Sequence, residues 1–431
     1  MSQIRLERKN IGIFGRVNVG KSTLMNLLTE SDVSIVDKKP GTTADIKTAF
    51  MEIHEMGPIK IFDTAGFDEK GELGEKKKQR SLMAIKECDL LLLIIDPFSK
   101  RDLLLEKMVA DLAKERKKDL FILFNIFKKK EKNSSQTKEK AEKIARFLNN
   151  SKFAMCDFSE NISKKLISDF ILSNFKPKNT KVEFLSKLKI GDIVFLNIPL
   201  DEESPEGRLL RPQALVQEKL IRRYISTFAY RMDLKKARSK VEKERLEEQK
   251  RFIKALDILR KSNDLKLVIT DSSAIDIVHK WTMERGKPLL PITTFSVIMA
   301  HITSGGRIKE FVSGLRGLKS LKKGDRILIA EACNHNRIAE DIGTVQIPKM
   351  IKKVFGEGII IDHLFGKEFS KEDLKSYKLV IHCGGCMLDK QRIEARLEDL
   401  VKAKVPFTNY GIFLSYMQSE EALKRVVEPF L

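Results

Sequence analysis

The stretch that most constrains this chain is Gly15-Arg16-Val17-Asn18-Val19-Gly20-Lys21-Ser22, which fits G-x-x-x-x-G-K-[ST] without a mismatch. It follows the aliphatic run 11–14 and precedes the amphipathic stretch 21–28, so it reads as strand, tight loop and helix start. The glycines let backbone N–H groups turn inward around a row of phosphates. Lys21 brings a point charge to the outer phosphates, and the Ser22 hydroxyl can ligate magnesium. The helix N-terminus adds its own positive end. Further aliphatic runs at 59–62, 90–95 and 120–124 alternate with helical stretches such as 103–113. Strands alternating with helices predict a parallel α/β sheet.

Two more elements follow in order. Pro40-Gly41-Thr42-Thr43 reads as a loop from which a threonine reaches magnesium and the γ-phosphate. Asp63-Thr64-Ala65-Gly66 closes the run 59–62, which places Asp63 beside magnesium and the Gly66 amide near the γ-phosphate. Together the three motifs resemble the translation-factor-type GTPases related to Era and TrmE. The resemblance implies GTP as substrate and a site made by Gly15, Asn18, Val19, Gly20, Lys21, Ser22, Thr23, Thr42, Thr43, Asp63, Gly66 and Asn125. Magnesium is expected on Ser22, Thr43 and Asp63, and catalysis from Lys21, Asn18 and Thr43. In that group the P-loop asparagine, matched by Asn18, helps hold potassium, and a hydrophobic residue, matched by Phe67, stands where other GTPases keep a catalytic glutamine. The guanine-reading N-K-x-D departs from the pattern: the place reads Asn125-Ile126-Phe127-Lys128, and a lysine cannot accept the two hydrogen bonds that the aspartate takes from the base. No S-A-K element stands near 153–160.

At 431 residues the chain calls for two to four domains. Its first ten residues have no secretory h-region, and no apolar run is long enough to span a bilayer, so a cytoplasmic protein without membrane contact is expected. The net charge of +21 raises attraction to anionic partners in general. With 33% charged residues, a solvated Lys/Glu-rich surface is the plainer account, and no aromatic-interleaved basic motif points to nucleic acid. After a linker at Pro177, residues 192–199 read as a strand. Residues 213–261 read as helical, with a charge run at 235–251 taken for a solvated helix. From Leu265 the α/β rhythm resumes, with strands at 267–270, 326–330, 359–362 and 379–382 and helices at 308–318 and 393–403. No internal repeat is visible.

The five cysteines are sparse and odd in number, which argues against disulfides. Cys88 and Cys156 read as packing residues. Cys333-Asn334-His335 and His382-Cys383-Gly384-Gly385-Cys386 each follow a predicted strand, where open α/β sheets place ligand sites. Spacing alone leaves three readings open: a 4Fe-4S cluster on three thiolates, zinc on three cysteines and a histidine, or a redox dithiol at Cys383 and Cys386.

A GTPase joined to C-x-H-x46-H-C-x-x-C resembles the HydF family, the maturation GTPases of iron-iron hydrogenases. Glu331-Ala332-Cys333, Glu340-Asp341-Ile342-Gly343, Ile347-Pro348, Val405-Pro406 and Thr408-Asn409-Tyr410-Gly411 carry the likeness further, as does the Pro205-x-Gly207-Arg208 turn. The family often has C-x-H-H, and here Asn336 follows His335. The resemblance implies a P-loop GTPase domain (1–175), a small α+β dimerisation domain (176–264) and a second doubly wound α/β domain (265–431). That last domain is expected to hold a 4Fe-4S cluster on Cys333, Cys383 and Cys386, with His335 or His382 as candidate fourth ligand. It further implies a homodimer, two radical-SAM maturases and apo iron-iron hydrogenase as partners, and a scaffold role in assembling the two-iron subcluster. The alternative is an RNA-binding Era-like GTPase with a structural zinc module.

Overall fold

The computed structural model describes residues 8–29, 47–53, 56–64, 66–68, 71–127, 135–176, 182–199, 209, 211–331, 341–366, 369, 373–385 and 390–431. Of the residues singled out above, Pro40, Gly41, Thr42, Thr43, Ala65, Lys128, Pro177, Pro205, Gly207, Arg208, Ala332, Cys333, Asn334, His335, Asn336, Glu340 and Cys386 lie outside this set. The chain forms two compact units, Arg5–Asn179 and Thr180–Leu431.

The first unit is built on six strands: β1 (Lys9–Phe14), β2 (Lys47–Ile53), β3 (Gly57–Asp63), β4 (Leu90–Ile95), β5 (Asp119–Asn125) and β6 (Phe153–Cys156). Their order is β2-β3-β1-β4-β5-β6, parallel except for β2. All six residues of β4 are buried, as expected of a central parallel strand covered by helices on both faces. The edge strand β2 was not foreseen, because Ala49 is its one buried residue and no apolar run marks it. Ile13 pairs with Asp63, so the P-loop leaving β1 and the Asp63–Gly66 turn leaving β3 emerge side by side.

The second unit holds β7 (Ile193–Asn197), β8 (Ser226–Tyr230), β9 (Leu265–Thr270), the two-residue hairpin strands β10 (Met283–Glu284) and β11 (Lys287–Pro288), β12 (Ile292–Thr294), β13 (Arg326–Glu331), β14 (Ile360–Phe365), β15 (Tyr377–His382) and β16 (Phe407–Asn409). Apart from the hairpin they make two four-stranded parallel sheets, β12-β9-β7-β8 and β14-β13-β15-β16. Three expectations change here. Strand β9 pairs with β7, so the middle sheet crosses the boundary expected at 264/265. That sheet is wholly parallel, an α/β rather than an α+β arrangement. The span 213–261 is interrupted by β8, whose Ser-Thr-Phe-Ala-Tyr is rich in strand-forming side chains.

The fourth change is a repeat that the sequence did not disclose. Both sheets run second-first-third-fourth in chain order, and their registers coincide. Val194 faces Leu267 and Asn197 faces Thr270 in one; Ile327 faces Leu379 and Ala330 faces His382 in the other, each with a register shift at the first strand's start. Before each first strand a glycine at φ 89° precedes an aspartate whose carboxylate caps the turn, Gly191-Asp192 and Gly324-Asp325. One architectural unit has been used twice.

Candidate functional site

The P-loop is anchored before any ligand arrives. Lys21, 9% exposed, donates from Nζ to the Arg16 carbonyl at 2.7 Å. Arg16 donates through Nε and Nη2 to both carboxylate oxygens of Glu106, at 2.8 and 3.2 Å, and through Nη2 to Asp102. Asn18 takes the left-handed conformation, φ 64°, which asparagine tolerates better than most residues. At Gly20, φ 102°, a Cβ would lie 2.4 Å from Asn125 Nδ2, so only glycine allows that approach.

The Ser22 hydroxyl donates to Asp63 Oδ2 at 2.7 Å, and Asp63 Oδ1 is buried with no hydrogen-bond partner among the described residues. Burial pushes the Asp63 carboxyl up from the ordinary aspartate value; Ser22, Lys21 and Lys47 pull it down. A hydroxyl beside an under-satisfied buried carboxylate is a hard-oxygen set that fits magnesium. Phe67 is buried and stacks on Phe14 with ring centroids 6.1 Å apart, so its ring serves the core. The next residue was missed in the sequence: Asp68 accepts from the Val17 amide at 2.7 Å and pairs with Arg101, tying this turn to the P-loop.

Asn125 ends β5. Its Nδ2 donates to the Val19 carbonyl at 3.0 Å, and its Oδ1 accepts from the Phe158 amide at 3.3 Å, linking the P-loop to the loop after β6. Ile126 is buried, whereas Phe127 is 56% exposed.

In the third sheet the chain order turns between β13 and β15, the switch point at which open α/β sheets bind ligands. Glu331 ends β13 and His382 ends β15, and the Cys383 amide donates to the Ala330 carbonyl at 3.0 Å. Cys383 directly follows β15, whose neighbour β13 ends at Glu331; Cys333 comes two residues later in the sequence and lies outside the described residues. Cys383 is half-buried. Gly385 stands at φ 66°, a left-handed conformation that strains any L side chain, so the turn after Cys383 favours glycine there. A soft thiolate in a glycine turn fits an iron–sulfur cluster or zinc. Among the described residues, no group of three or more His, Cys, Asp or Glu side chains is placed to hold a metal.

His382 is engaged on both sides of its ring. Nδ1 lies 2.7 Å from the Cys383 carbonyl and Nε2 lies 3.3 Å from Arg396 Nη1. A carbonyl only accepts and a guanidinium only donates, so the proton sits on Nδ1. Burial, with Arg396 adding to it, pushes this imidazole down to about 3. Tyr410 donates to Glu331 Oε1 at 3.3 Å behind the same edge. Arg396 was missed, although a charged residue on the apolar stripe of Ile393, Leu397 and Leu400 was a readable signal. Cys88 and Cys156 are buried in the first unit, and burial raises the Cys88 thiol far above its ordinary value.

Among known families, residues 10–126 match the 50S ribosome-binding GTPase, 184–304 the hydrogen maturase F dimerization domain and 309–429 the hydrogen maturase F tetramerization domain. The two latter domains imply self-association. GTPase Der of Nitratiruptor sp. is 30% identical over 44% of this chain and 39% of its own. The tRNA modification GTPase MnmE of Prochlorococcus marinus is 32% identical over 46% of this chain and 44% of its own. The chain thus spans less than half the length of these curated relatives. A solved structure of Aquifex aeolicus Era bound to GDP and AlF4 is 18% identical, covering 52% of this chain and 93% of that one, with a TM-score of 0.31. No helix among the described residues is long and apolar enough to cross a membrane.

Proposed function

The chain belongs to the hydrogen maturase F family, with a P-loop GTPase domain ahead of that family's dimerization and tetramerization domains, and from that premise we propose a GTP-hydrolysing scaffold for hydrogenase maturation. It holds a 4Fe-4S cluster on Cys333, Cys383 and Cys386, receives a two-iron subcluster made with two radical-SAM partners, and passes it to apo iron-iron hydrogenase. The observation that supports the reading is the switch point of the third sheet, where Cys383 follows β15 and its amide bonds the Ala330 carbonyl of the neighbouring β13.

In the first unit Lys21 and the inward-facing P-loop amides bind the phosphates of GTP, Ser22, Thr43 and Asp63 would hold magnesium, and Asn18 would hold potassium. With Phe67 packed into the core, no glutamine orients the attacking water, so hydrolysis is slow and cation-assisted. In the second unit the cluster, when bound, supplies an iron site for docking the two-iron cargo. The protein's own part there is to present thiolates from a rigid sheet edge and to hold Cys383 in its glycine turn.

The test is transfer. Protein co-produced anaerobically with the two radical-SAM partners is expected to activate apo-hydrogenase, and Cys383→Ser protein is expected to fail. Full activation by Cys383→Ser would reject the scaffold reading. The net charge of +21 favours one competitor, an RNA-binding GTPase with a zinc module, which predicts zinc in place of iron.

A further inference from the structure

Arg396 is fully buried, a position a guanidinium holds only when it is hydrogen-bonded. It stands on the helix Lys390–Ala403, over the Phe369 ring at 5.4 Å, with Nη1 at His382 Nε2. His382 in turn donates from Nδ1 to the Cys383 carbonyl. A two-bond chain therefore runs from this helix to the backbone of the cysteine. The repeated unit shows that the sheet itself does not require it. In the middle sheet the register position of His382 is Thr270, which accepts from Asn197 Nδ2 at 2.9 Å, and the next residue is Asp271. The same strand ending is thus satisfied by small neutral side chains, and the buried Arg396–His382 pair occurs where Cys383 follows the strand.

We propose that Arg396 is a positioning residue for Cys383: through His382 it fixes the Cys383 backbone, keeps both imidazole nitrogens off the metal, and sets a permanent positive charge on the Cys383 side of the site. This rests on the cluster reading above. Three thiolates on a 4Fe-4S cluster leave a net negative charge that grows on reduction, so a fixed cation nearby favours the reduced state.

The experiment uses full-length protein, reconstituted anaerobically, with iron content, the reduced-state paramagnetic spectrum and the midpoint potential as readouts. Arg396→Met is expected to keep iron but shift the potential downward and alter the spectrum. Arg396→Lys, retaining charge but not the fork, is expected to recover most of the potential and not the spectrum. Should Arg396→Met fail to fold, Arg396→Lys and the wild type still decide the question. In wild-type protein, pulsed measurements are expected to show no strong nitrogen coupling that disappears in His382→Gln. Wild-type potential and spectrum in Arg396→Met, or a nitrogen coupling lost in His382→Gln, would overturn the inference while leaving the cluster reading intact. Wild-type protein that takes up no iron would overturn both.

Discussion

Ser22 and Asp63 form a hydroxyl–carboxylate pair at 2.7 Å in which the second carboxylate oxygen, Oδ1, is buried with no hydrogen-bond partner among the described residues. An unpaired buried carboxylate oxygen is expensive, and a bound divalent cation relieves that cost. Chelation of magnesium is therefore expected to stop GTP hydrolysis, and Asp63→Asn to raise the magnesium requirement about tenfold or more. Lys21→Ala is expected to lower turnover about a hundredfold, as loss of one preorganised donor does elsewhere. Phosphate release under varied magnesium checks all three.

Asn18 sits in the P-loop at φ 64°, and Phe67 is turned into the core against Phe14. With no glutamine to place the water, a monovalent cation beside the phosphates takes on more of the charge stabilisation. Hydrolysis is expected to be faster in potassium than in sodium, and Asn18→Ala to remove the difference. Equal rates in the two salts for the wild type contradict this.

Asn125 spans Val19 and Phe158 with two hydrogen bonds, so it braces the P-loop whatever the base. Asn125→Ala is expected to weaken GTP, ITP and ATP alike, by about tenfold, or about 1.4 kcal/mol. Wild-type protein is expected to discriminate poorly among them, because Lys128 replaces the aspartate that would accept from guanine. Competition against labelled GTP measures both effects. A strong preference for GTP would mean that another residue reads the base.

How legible the fold was depended on burial. Strands β1, β4 and β5 are covered on both faces and read as apolar runs, while β12 and β16 have three residues each and carry no periodicity. The boundary placed at 264/265 followed the rhythm of the chain, but a sheet is defined by pairing, and β9 returns to β7 across some seventy residues. The repeat escaped notice because register constrains only which positions are apolar. Its one local trace was Gly191-Asp192 against Gly324-Asp325, an ordinary turn signal. The P-loop was complete in the sequence. What could not be read there was second contacts: Arg16 on Glu106, Asp68 on the Val17 amide, and Arg396 behind His382, all of which join residues distant along the chain.

The central claim, a GTPase joined to an iron–sulfur scaffold, is tested most directly by the metal content of native, anaerobically purified protein beside Cys333→Ser, Cys383→Ser and Cys386→Ser. The account predicts about four irons per chain with matching sulfide and a visible charge-transfer absorption in the wild type. In each serine variant iron is expected to collapse while GTP hydrolysis persists, since the P-loop belongs to a separate compact unit. Zinc in place of iron in the wild type, or wild-type iron in Cys383→Ser, would contradict it.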